Sequence, residues 1–518
     1  MQALAANSAA AFADAEAQFA RLIHQLRSEE ARAMTHSELE RELEEKGREL
    51  LRSLLQGHLE LRSPGEASAP VRDAEGQERT ARRLHERSLA TVFGEVEVSR
   101  LGYRAEGADS LHPLDAELNL PPERYSHELR RRAAEQVAKG SYDEAVATLA
   151  ASTGTAVPKR QVEELVARAA QDFDAFYAQK SAASEVAGSL LVLSFDGKGV
   201  VMRREDLRPA TKKAAERHQQ KLSKRLSKGE KRHAKRMATV AAIYTVAPFV
   251  RTPQEVAGTL APIHSVPRPR PRPEAKRVWA SLEKDPEEVI ASAFEEAHKR
   301  DRRRQKRWVA LVDGAPHQLH LLRASQRRHK IELTIVLDLI HVVEYLWKAA
   351  FVFCPEASRE LEDWVSCRLL NILQGYASTV AAGIRRSATL RGLTREQREA
   401  ADACADYLLN HVPYLRYHEY LAAGLPIATG VIEGACRHLV KDRMDLTGAR
   451  WSLAGAEAVL RLRALRVSGD FDKYWLFHEA QEYQRNHAAL YADHKVPPTH
   501  NPSPRQVSRA RAHLKIVK

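Results

Sequence analysis

Three acidic residues that lie far apart in the chain could together hold metal ions. Asp196 and Asp313 each end a short apolar run and are followed by glycine, which lets the backbone turn away without a side chain in the way. Glu433 falls in a segment that predicts a helix starting near Ala428 or Thr429. Carboxylate oxygens suit Mg²⁺ and Mn²⁺. Two such ions, roughly 3.5–4 Å apart, can activate an attacking oxygen and stabilise a leaving one in phosphodiester chemistry.

Each of these residues also has an ordinary structural explanation. Asp-Gly after a strand is a common turn, and a helical glutamate with basic neighbours is usually part of a solvated face. The three become informative only where the fold brings them together. Beside Glu433, Arg437 and Lys441 repeat at four-residue spacing on one helix face. A basic stripe beside a metal-binding carboxylate would seat a scissile phosphate.

The elements predicted around these residues form a mixed sheet with flanking helices. Short apolar runs predict strands, and they read SLLVLSFDG, GVVMR, MATVAAIYTVAPFV, RWVALVDG and ELTIVLDLIH, with a helix over 286–305 before the fourth. Three strands, a helix, a strand and a helix follow the order of the ribonuclease H-like fold. In that fold the strands that end at Asp196 and Asp313 are neighbours.

Changes in pattern along the chain predict a multidomain α+β protein. The predicted parts are N-terminal helices (1–62), a small β-containing segment (63–125), a helix-turn-helix-like DNA-binding region (126–182), the first part of a ribonuclease H-like catalytic core (185–340), an all-helical insertion (341–425), the second part of the core (426–485) and a basic C-terminal tail (486–518).

Two helices joined at Gly154 give the region 126–182 its helix-turn-helix character. Ser141 and Glu144 are spaced as a capping box, which opens the first helix. Lys159 and Arg160 would stand at the exposed start of the second helix, where a recognition helix contacts DNA. A plain helical hairpin is the alternative.

Charge and composition favour a polyanionic partner. The 518 residues contain 81 Lys and Arg against 68 Asp and Glu, a net charge of +13. The segment 203–236 holds fourteen basic residues against four acids, which predicts a basic helix along DNA or, as the alternative, a solvated loop. Without a long apolar run or a signal peptide, we expect a cytoplasmic, nucleoid-associated protein that does not enter membranes. We expect the cysteines to be buried thiols in a reducing compartment: Cys354, Cys367, Cys404 and Cys436.

The segments around the three acids resemble the motifs of a known enzyme family. SFDGKGV, WVALVDG and GVIEGACRHLVKDRMDLTGARWS look like the acidic motifs of the Kra-type insertion-sequence family of bacterial DDE transposases. The amino-terminal part of that family is similar to GEVEVSRLGYR, PLDAELNLP, SYDEAVATLA, VPKRQVEEL and DFDAFY, so the resemblance covers roughly residues 90 to 485. Ala315 and Pro316 after the second Asp are a minor departure.

The resemblance implies that Asp196, Asp313 and Glu433 are the catalytic ligands of two Mg²⁺ or Mn²⁺ ions. It also implies the helical insertion. Asp338 and His341, at the start of that insertion, are similar to an Asp/Cys–His signature of several DDE groups, although a structural pair is the alternative.

Three residues downstream of Glu433 are further candidates for contacting DNA. Arg443 and Arg450 suit bidentate phosphate contact, and Trp451 could stack on an unpaired base or be a core residue.

We therefore expect a transposase that binds terminal inverted repeats of double-stranded DNA, cuts them and joins them to target DNA. Because two ends must be held together, we expect a homodimer or a higher oligomer on DNA. The alternatives are a non-catalytic or domesticated DNA-binding protein on the same fold, and a ribonuclease H-like nuclease or resolvase.

Overall fold

In a computed structural model, the backbone of the protein forms two compact units. Unit 1 contains Met1–Ala178 and Phe471–Lys518, and unit 2 contains Gln179–Asp470. The chain is α+β and its largest sheet is mixed, which confirms the predicted class at this level. The structure describes residues 2–181, 189–217, 234–258, 269–428, 430–446 and 448–501, with side chains from residue 10 onward.

The first part of the chain contains the elements α1 (Gln2–Leu26), α2 (Glu29–Ala33), α3 (His36–Arg62), β1 (Glu66–Ala67), β2 (Ala81–Thr91), β3 (Gly94–Arg104), α4 (Pro113–Glu117), α5 (His127–Lys139), α6 (Tyr142–Thr153), α7 (Lys159–Ala169) and α8 (Phe173–Gln179). Unit 2 continues with β4 (Leu190–Val201), α9 (Pro209–Arg217), β5 (Lys235–Val246), α10 (Pro253–Gly258), β6 (Glu274–Ser281), α11 (Pro286–Arg300), β7 (Arg307–Val312), α12 (Pro316–His329), β8 (Leu333–Leu337), α13 (Leu339–Ala350), α14 (Arg359–Leu373), α15 (Ala377–Leu390), α16 (Glu399–Asn410), α17 (Tyr417–Ala422), α18 (Gly430–Ala435), a π-helical segment (Cys436–Lys441), α19 (Asp442–Met444) and α20 (Leu453–Val467). The chain returns to unit 1 with α21 (Phe471–Asn486) and β9 (Thr499–His500). Short 3₁₀ turns lie at Arg204–Asp206, Val412–Tyr414, Ala488–Leu490 and Ala492–His494.

A hairpin and a helix form one core of unit 1. β2 and β3 pair antiparallel from Ala81 opposite Arg104 to Thr91 opposite Gly94, within the segment 63–125 that was predicted to contain β structure. Residues of one strand face alternate in sequence, so the hairpin offers one apolar face to α3 and α4. The buried side chains of this cluster are Leu59, Leu89, Val96, Val98, Leu114 and Leu120.

The helices predicted as a helix-turn-helix are present, although their DNA contact is not tested. Ser141 and Glu144 form the capping box at the start of α6, and Gly154 ends that helix in the left-handed conformation (φ 66°). The helix predicted to start near Lys159 ends at Ala169, and a second helix, α8, follows from Phe173. At the break, Asp172 accepts a hydrogen bond of 2.7 Å from His478 Nδ1.

The C-terminal helix α21 is tied into unit 1 through a buried charge network. Arg130, which is fully buried, donates to Glu482 Oε2 at 2.6 Å and to His478 Nε2 at 3.1 Å. Tyr474 donates to the carbonyl of Ala169 at 2.6 Å. The predicted core segment 426–485 therefore crosses from unit 2 into unit 1 after Asp470.

A histidine pair on the hairpin should make unit 1 sensitive to acid. His85 Nδ1 and His112 Nε2 are 2.8 Å apart, and burial, followed by the charge of Arg100, lowers the pKa of His112 to about 3. In the unfolded chain His112 has the ordinary histidine pKa near 6.5. Between the folded and unfolded pKa values the unfolded chain therefore binds up to one more proton than the folded chain. Stability is therefore complete above about pH 6.5 and falls as the pH drops, by about 1.4 kcal/mol per pH unit at most.

We expect His112→Asn to flatten this dependence between pH 7 and 4.5, as followed by hydrogen exchange of the β2 and β3 amides. His36→Asn, at a side chain that is 84% exposed, serves as the control. An identical pH slope in His112→Asn and wild type would contradict the assignment.

The main sheet of unit 2 has the strand order β6-β5-β4-β7-β8. β4, β5 and β6 pair antiparallel, whereas β4, β7 and β8 pair parallel. Helix α11 packs on β5 through an apolar stripe that includes Val289, Ile290 and Phe294. β4 pairs with β5 along its whole length and with β7 from Leu190 to Ser194. The part between both neighbours is buried and reads as a continuous apolar run.

Two strand predictions are wrong in detail. SLLVLSFDG and GVVMR are one strand, β4, because β5 supplies ladder partners through Asp196, Gly197 and Gly199. Asp196 therefore lies within a strand and not at its end. β6 was not predicted, since its sequence EAKRVWAS is short, charged and follows a proline-rich run.

The region between β8 and α18 is helical from α13 to α17, as predicted for 341–425. Residues 218–233 of the basic segment 203–236 lie outside the described residues, as do 502–518 of the predicted basic tail. Of the cysteines, Cys404 and Cys436 are buried, Cys354 is partly buried and Cys367 is exposed, so the prediction of buried thiols is wrong for two of them. Across the described ranges, no helix combines the length and apolar character that a membrane span requires.

Candidate functional site

One cleft in unit 2 is lined by carboxylates from adjacent parallel strands. Each of these residues lies within its strand or directly after it. β4 and β7 are in register up to Ser194 opposite Leu311, and continuing that register brings Asp196 opposite Asp313. β7 and β8 are in register to Val312 opposite Leu337, so Asp338 follows beside Asp313. All three line one cavity of about 310 Å³.

The third predicted ligand enters this cleft from a helix. Glu433 is an exposed residue of α18, and it lines the cavity together with Asp196 and Asp313. Glu344 of α13 is a further carboxylate on the wall. The fold thus brings the three predicted residues into one cleft, and adds Asp338 and Glu344 to them.

The three predicted ligands are spread apart inside the cleft. Among the residues that the structure describes, the acidic and histidine side chains whose ligand atoms converge within 4.8 Å are Asp172, His478 and Glu482 of unit 1. There Arg130 and Arg485 already bind the carboxylates, so we interpret that cluster as an ion-pair network. Like charges repel in a partly desolvated cleft, which accounts for the wider spacing of the acids in unit 2.

Local hydrogen bonds orient the two aspartates. Asp196 Oδ1 accepts from the backbone N–H of Gly197 at 2.6 Å, and Asp313 Oδ1 accepts from that of Ala315 at 3.0 Å. Both contacts use one oxygen of each carboxylate. The turn after Asp313 leads directly into α12, in which Pro316 is the first residue and needs no N–H partner.

The π-helical segment sets the position of Cys436 against Asp196. A π-helix inserts an extra residue into a helical turn, and such segments are frequent at functional sites. Here the Cys436 thiol is 3.0 Å from Asp196 Oδ2 and donates to it. Burial, followed by the charge of Asp196, raises the pKa of this thiol, so it stays protonated.

Asp338 and His341 form a helix cap that faces the cleft. Asp338 is 3% exposed, and its Oδ1 accepts from the backbone N–H of Ile340 at 3.1 Å, which caps α13. His341 Nδ1 lies 3.4 Å from Asp338 Oδ2. The hydrogen bond to Asp338 raises the pKa of His341, and the charges of Asp313 and Glu344 add to that effect. These hydrogen bonds support the structural alternative for Asp338 and His341, and a catalytic role for the pair stays a prediction.

Side chains of the helical region hold the backbone beside Asp313. Tyr407 of α16 donates to the carbonyl of Asp313 at 2.8 Å, and His411 Nε2 lies 2.9 Å from that of Gly314. Gly314 has φ of +92°, and a Cβ there would meet His411 Nε2 at 2.8 Å. One step further along the sheet, Tyr417 donates to the carbonyl of Leu337 at 2.8 Å. The helical region thus fixes the ends of β7 and β8.

The basic residues predicted to contact DNA lie in three different surroundings. Arg437 and Lys441 line the cleft. Arg443 and Trp451 are 3% and 6% exposed, with the guanidinium 4.7 Å from the ring. Phosphate contact or base stacking by these two would require them to leave the interior, and the packing alternative fits their position. Arg450 is exposed.

Lys159 and Arg160 stand at the start of α7 as predicted, and both are already paired with acids. Lys159 binds Asp143 at 2.8 Å, and Arg160 lies 3.4 Å from Glu164. Their side chains are 51% and 88% exposed, so solvent weakens both pairs.

Three cleft residues were missed in the sequence. Lys198 lies two residues after Asp196 in β4, and that spacing places both on one face of the strand. Cys436 follows Glu433, and Glu344 follows His341, by one helical turn. Once the three primary ligands were chosen, these spacings could have indicated that Lys198, Cys436 and Glu344 lie in the same cleft.

Comparison with protein-family models and with curated proteins finds no match to this chain.

Proposed function

We propose that the protein is a DDE-type DNA transposase whose catalytic residues are Asp196, Asp313 and Glu433. The observation that carries the proposal is their meeting in one cleft, although they come from two neighbouring parallel strands and a helix far along the chain. Either Asp-Gly pair alone would be an ordinary turn. A cleft that the two aspartates share with a helical glutamate supports a two-metal phosphodiester site, which needs carboxylates from distant parts of the chain on one surface.

The sheet supports the same proposal. Its order β6-β5-β4-β7-β8, with three antiparallel strands followed by two parallel ones, is the order expected for a ribonuclease H-like core and supports that interpretation. The helices α13 to α17 would then be an insertion between the second and third catalytic residues. The hydrogen bonds from Tyr407 and His411 suggest a structural role for such an insertion, because they hold the turn after Asp313 in place.

The donors in the cleft fit magnesium or manganese. Asp196, Asp313 and Glu433 would hold the ions with hard carboxylate oxygens, and Asp338 and Glu344 add negative charge beside them. A bound pair of ions would supply an activated attacking oxygen and a screened leaving oxygen. The donated thiol hydrogen of Cys436 orients the Asp196 carboxylate.

The basic residues of the cleft position the phosphate. Lys198, Arg437 and Lys441 would bind the non-bridging oxygens and the flanking backbone. Water attacks the phosphorus at the element's end, breaks the bond to O3′ and frees a 3′-hydroxyl. That hydroxyl then attacks a target phosphodiester, so that a new P–O3′ bond forms and the target's own 3′-hydroxyl leaves.

Unit 1 would bind the ends of the element through α6 and α7. The exposed N-terminal turn of α7 carries Lys159 and Arg160, and a helix of this kind can enter the major groove. Two ends must be joined in one complex, so we propose a dimer or a higher oligomer on DNA.

Cleavage of a labelled duplex that carries the inverted repeat bordering the gene tests the proposal. With Mg²⁺, the wild-type protein should cut at the repeat end and should not cut a scrambled duplex, whereas Glu433→Gln should bind the duplex without cutting it. Equal cutting of both duplexes would indicate a nuclease or resolvase. Binding without cutting by wild type would favour a DNA-binding scaffold.

A further inference from the structure

A basic groove leaves the carboxylate cleft across the surface of β4. A second hollow of about 310 Å³ shares Lys198 and Lys441 with the cleft. Its walls extend to Lys235 and Met237 of β5, and Asp445 is the acid that lines it. We name this hollow the β4 groove.

The lysines of the β4 groove lack acidic partners. Within the described ranges, Lys198, Lys235 and Lys441 form no ion pair, and neither does Arg437 in the adjoining cleft. Many basic side chains elsewhere in the chain are paired, for example Arg277 with Glu296 at 2.8 Å. The groove itself is lined by three lysines and one acid, whereas the other carboxylates belong to the adjoining cleft. An anion with several spaced charges would therefore be stabilised in the groove.

Two glycines give the β4 groove its floor. Gly197 and Gly199 lie in extended strand, so they are needed for space and not for an unusual φ. A Cβ on Gly199 would meet Lys235 Cδ at 2.9 Å, and one on Gly197 would meet Met237 Cε at 3.2 Å. The side chains of β5 therefore lie flat over β4 because the glycines leave room.

Met237 forms an apolar platform between the lysines. Its side chain lies over the glycines and is nevertheless 54% exposed. A thioether is polarizable and packs well against ring systems. Basic side chains on both sides of an apolar surface suit a nucleic acid strand. They can bind its phosphates while an unpaired base packs on the apolar surface.

We propose that the β4 groove holds the DNA strand next to the scissile phosphate as an unpaired nucleotide. Lys198, Lys235 and Lys441 bind its phosphates, and its base packs on Met237. This inference rests on the proposed function and adds to it the path and the single-stranded state of the substrate. It implies that the duplex end is opened when it enters the cleft.

The first test is the salt dependence of DNA binding by the double variant Lys198→Gln/Lys235→Gln. Fluorescence anisotropy with an element-end duplex whose terminal nucleotides are unpaired, in Ca²⁺, measures binding without cleavage. Loss of two phosphate contacts should reduce the slope of log K against log salt by roughly 1.4 to 1.8. If the affinity at 1 M salt is unchanged, affinity should fall roughly 25- to 60-fold at about 0.1 M salt.

Matched variants separate this effect from loss of charge or of folding. Lys276→Gln/Arg395→Gln removes the same charge at exposed positions of unit 2 and should leave the slope unchanged. Lys198→Arg/Lys235→Arg should keep the wild-type slope. A slope that is equal in the Gln variant and in wild type would overturn the proposal for the groove while leaving DNA binding intact.

The second test concerns the platform. Wild type should prefer the frayed end over a fully paired end, and Met237→Ala should reduce that preference about threefold or more, whereas Met237→Leu should retain it. No preference in wild type would overturn the unpaired state.

If wild type binds neither duplex, the proposed function fails together with the groove. A change of oligomeric mass in the Gln variant, with an unchanged slope, would assign the groove to an interface between copies and so overturn the inference.

Discussion

Asp196→Asn should lower the rate of strand cleavage about a thousandfold or more, which corresponds to roughly 4 kcal/mol of transition-state stabilisation. Asparagine keeps the shape of the side chain and its oxygen for the Gly197 N–H, but it loses the negative charge that a divalent ion needs. Asp196 lies in β4, whereas Asp338 and Glu344 line the cleft from the end of β8 and from α13, so we expect neither of them to replace it. Single-turnover cleavage of the end duplex measures the effect.

Two controls belong to this experiment. Asp363→Asn removes a charge at an exposed position of α14 and should cleave as wild type does. Binding of the duplex in Ca²⁺ and the thermal unfolding of Asp196→Asn should stay close to wild type. Cleavage within a factor of ten of wild type in a folded Asp196→Asn protein would exclude Asp196 as a catalytic ligand.

Tyr407→Phe should lower cleavage about 10- to 100-fold, the usual cost of losing a partner that orients a metal ligand. The hydroxyl of Tyr407 donates to the carbonyl of Asp313, and phenylalanine removes this bond. The ring should keep its stack on Tyr345, whose centroid lies 4.0 Å away with the planes 12° apart. The loss should appear as a higher Mg²⁺ requirement, because the Asp313 turn is no longer held.

Tyr420→Phe is the matched control for this prediction. Tyr420 donates to the carbonyl of Ile335 within β8 at 3.3 Å, so its loss costs a similar hydrogen bond away from the cleft. Tyr420→Phe should lower the free energy of unfolding and leave the Mg²⁺ requirement for cleavage unchanged. Equal Mg²⁺ titrations for Tyr407→Phe and Tyr420→Phe would show that Tyr407 only stabilises the helical region.

The sequence was informative where local pattern decides structure. Apolar runs located β4, β7 and β8, and the acids that follow or lie within them indicated one shared edge of the sheet. The capping box at Ser141 located α6. These features depend on periodicity and on neighbours within a turn, which a single sequence contains.

Features that depend on distant partners were not predictable in this way. Gly197 reads as a turn, yet β5 pairs through it because Met237 and Lys235 fill the space above the strand. The π-helical segment after Glu433 has no local signal, since it depends on the packing of Cys436 against Asp196. Nothing near Phe471 indicates that α21 packs with α5 in unit 1.

The buried network of Arg130 has a consequence for synthesis on the ribosome. Glu482 and His478, which bind this arginine, are made only after the whole of unit 2. At roughly 5–20 residues per second, the intervening stretch of about 300 residues takes on the order of 15–60 s. During that time Arg130 can pair with Glu123, which is already made, but it lacks Glu482 and His478. Chains released before α21 would therefore lack this part of the buried network of unit 1. Under the proposed function, we expect such truncated copies to compete poorly with complete ones for the ends of the element.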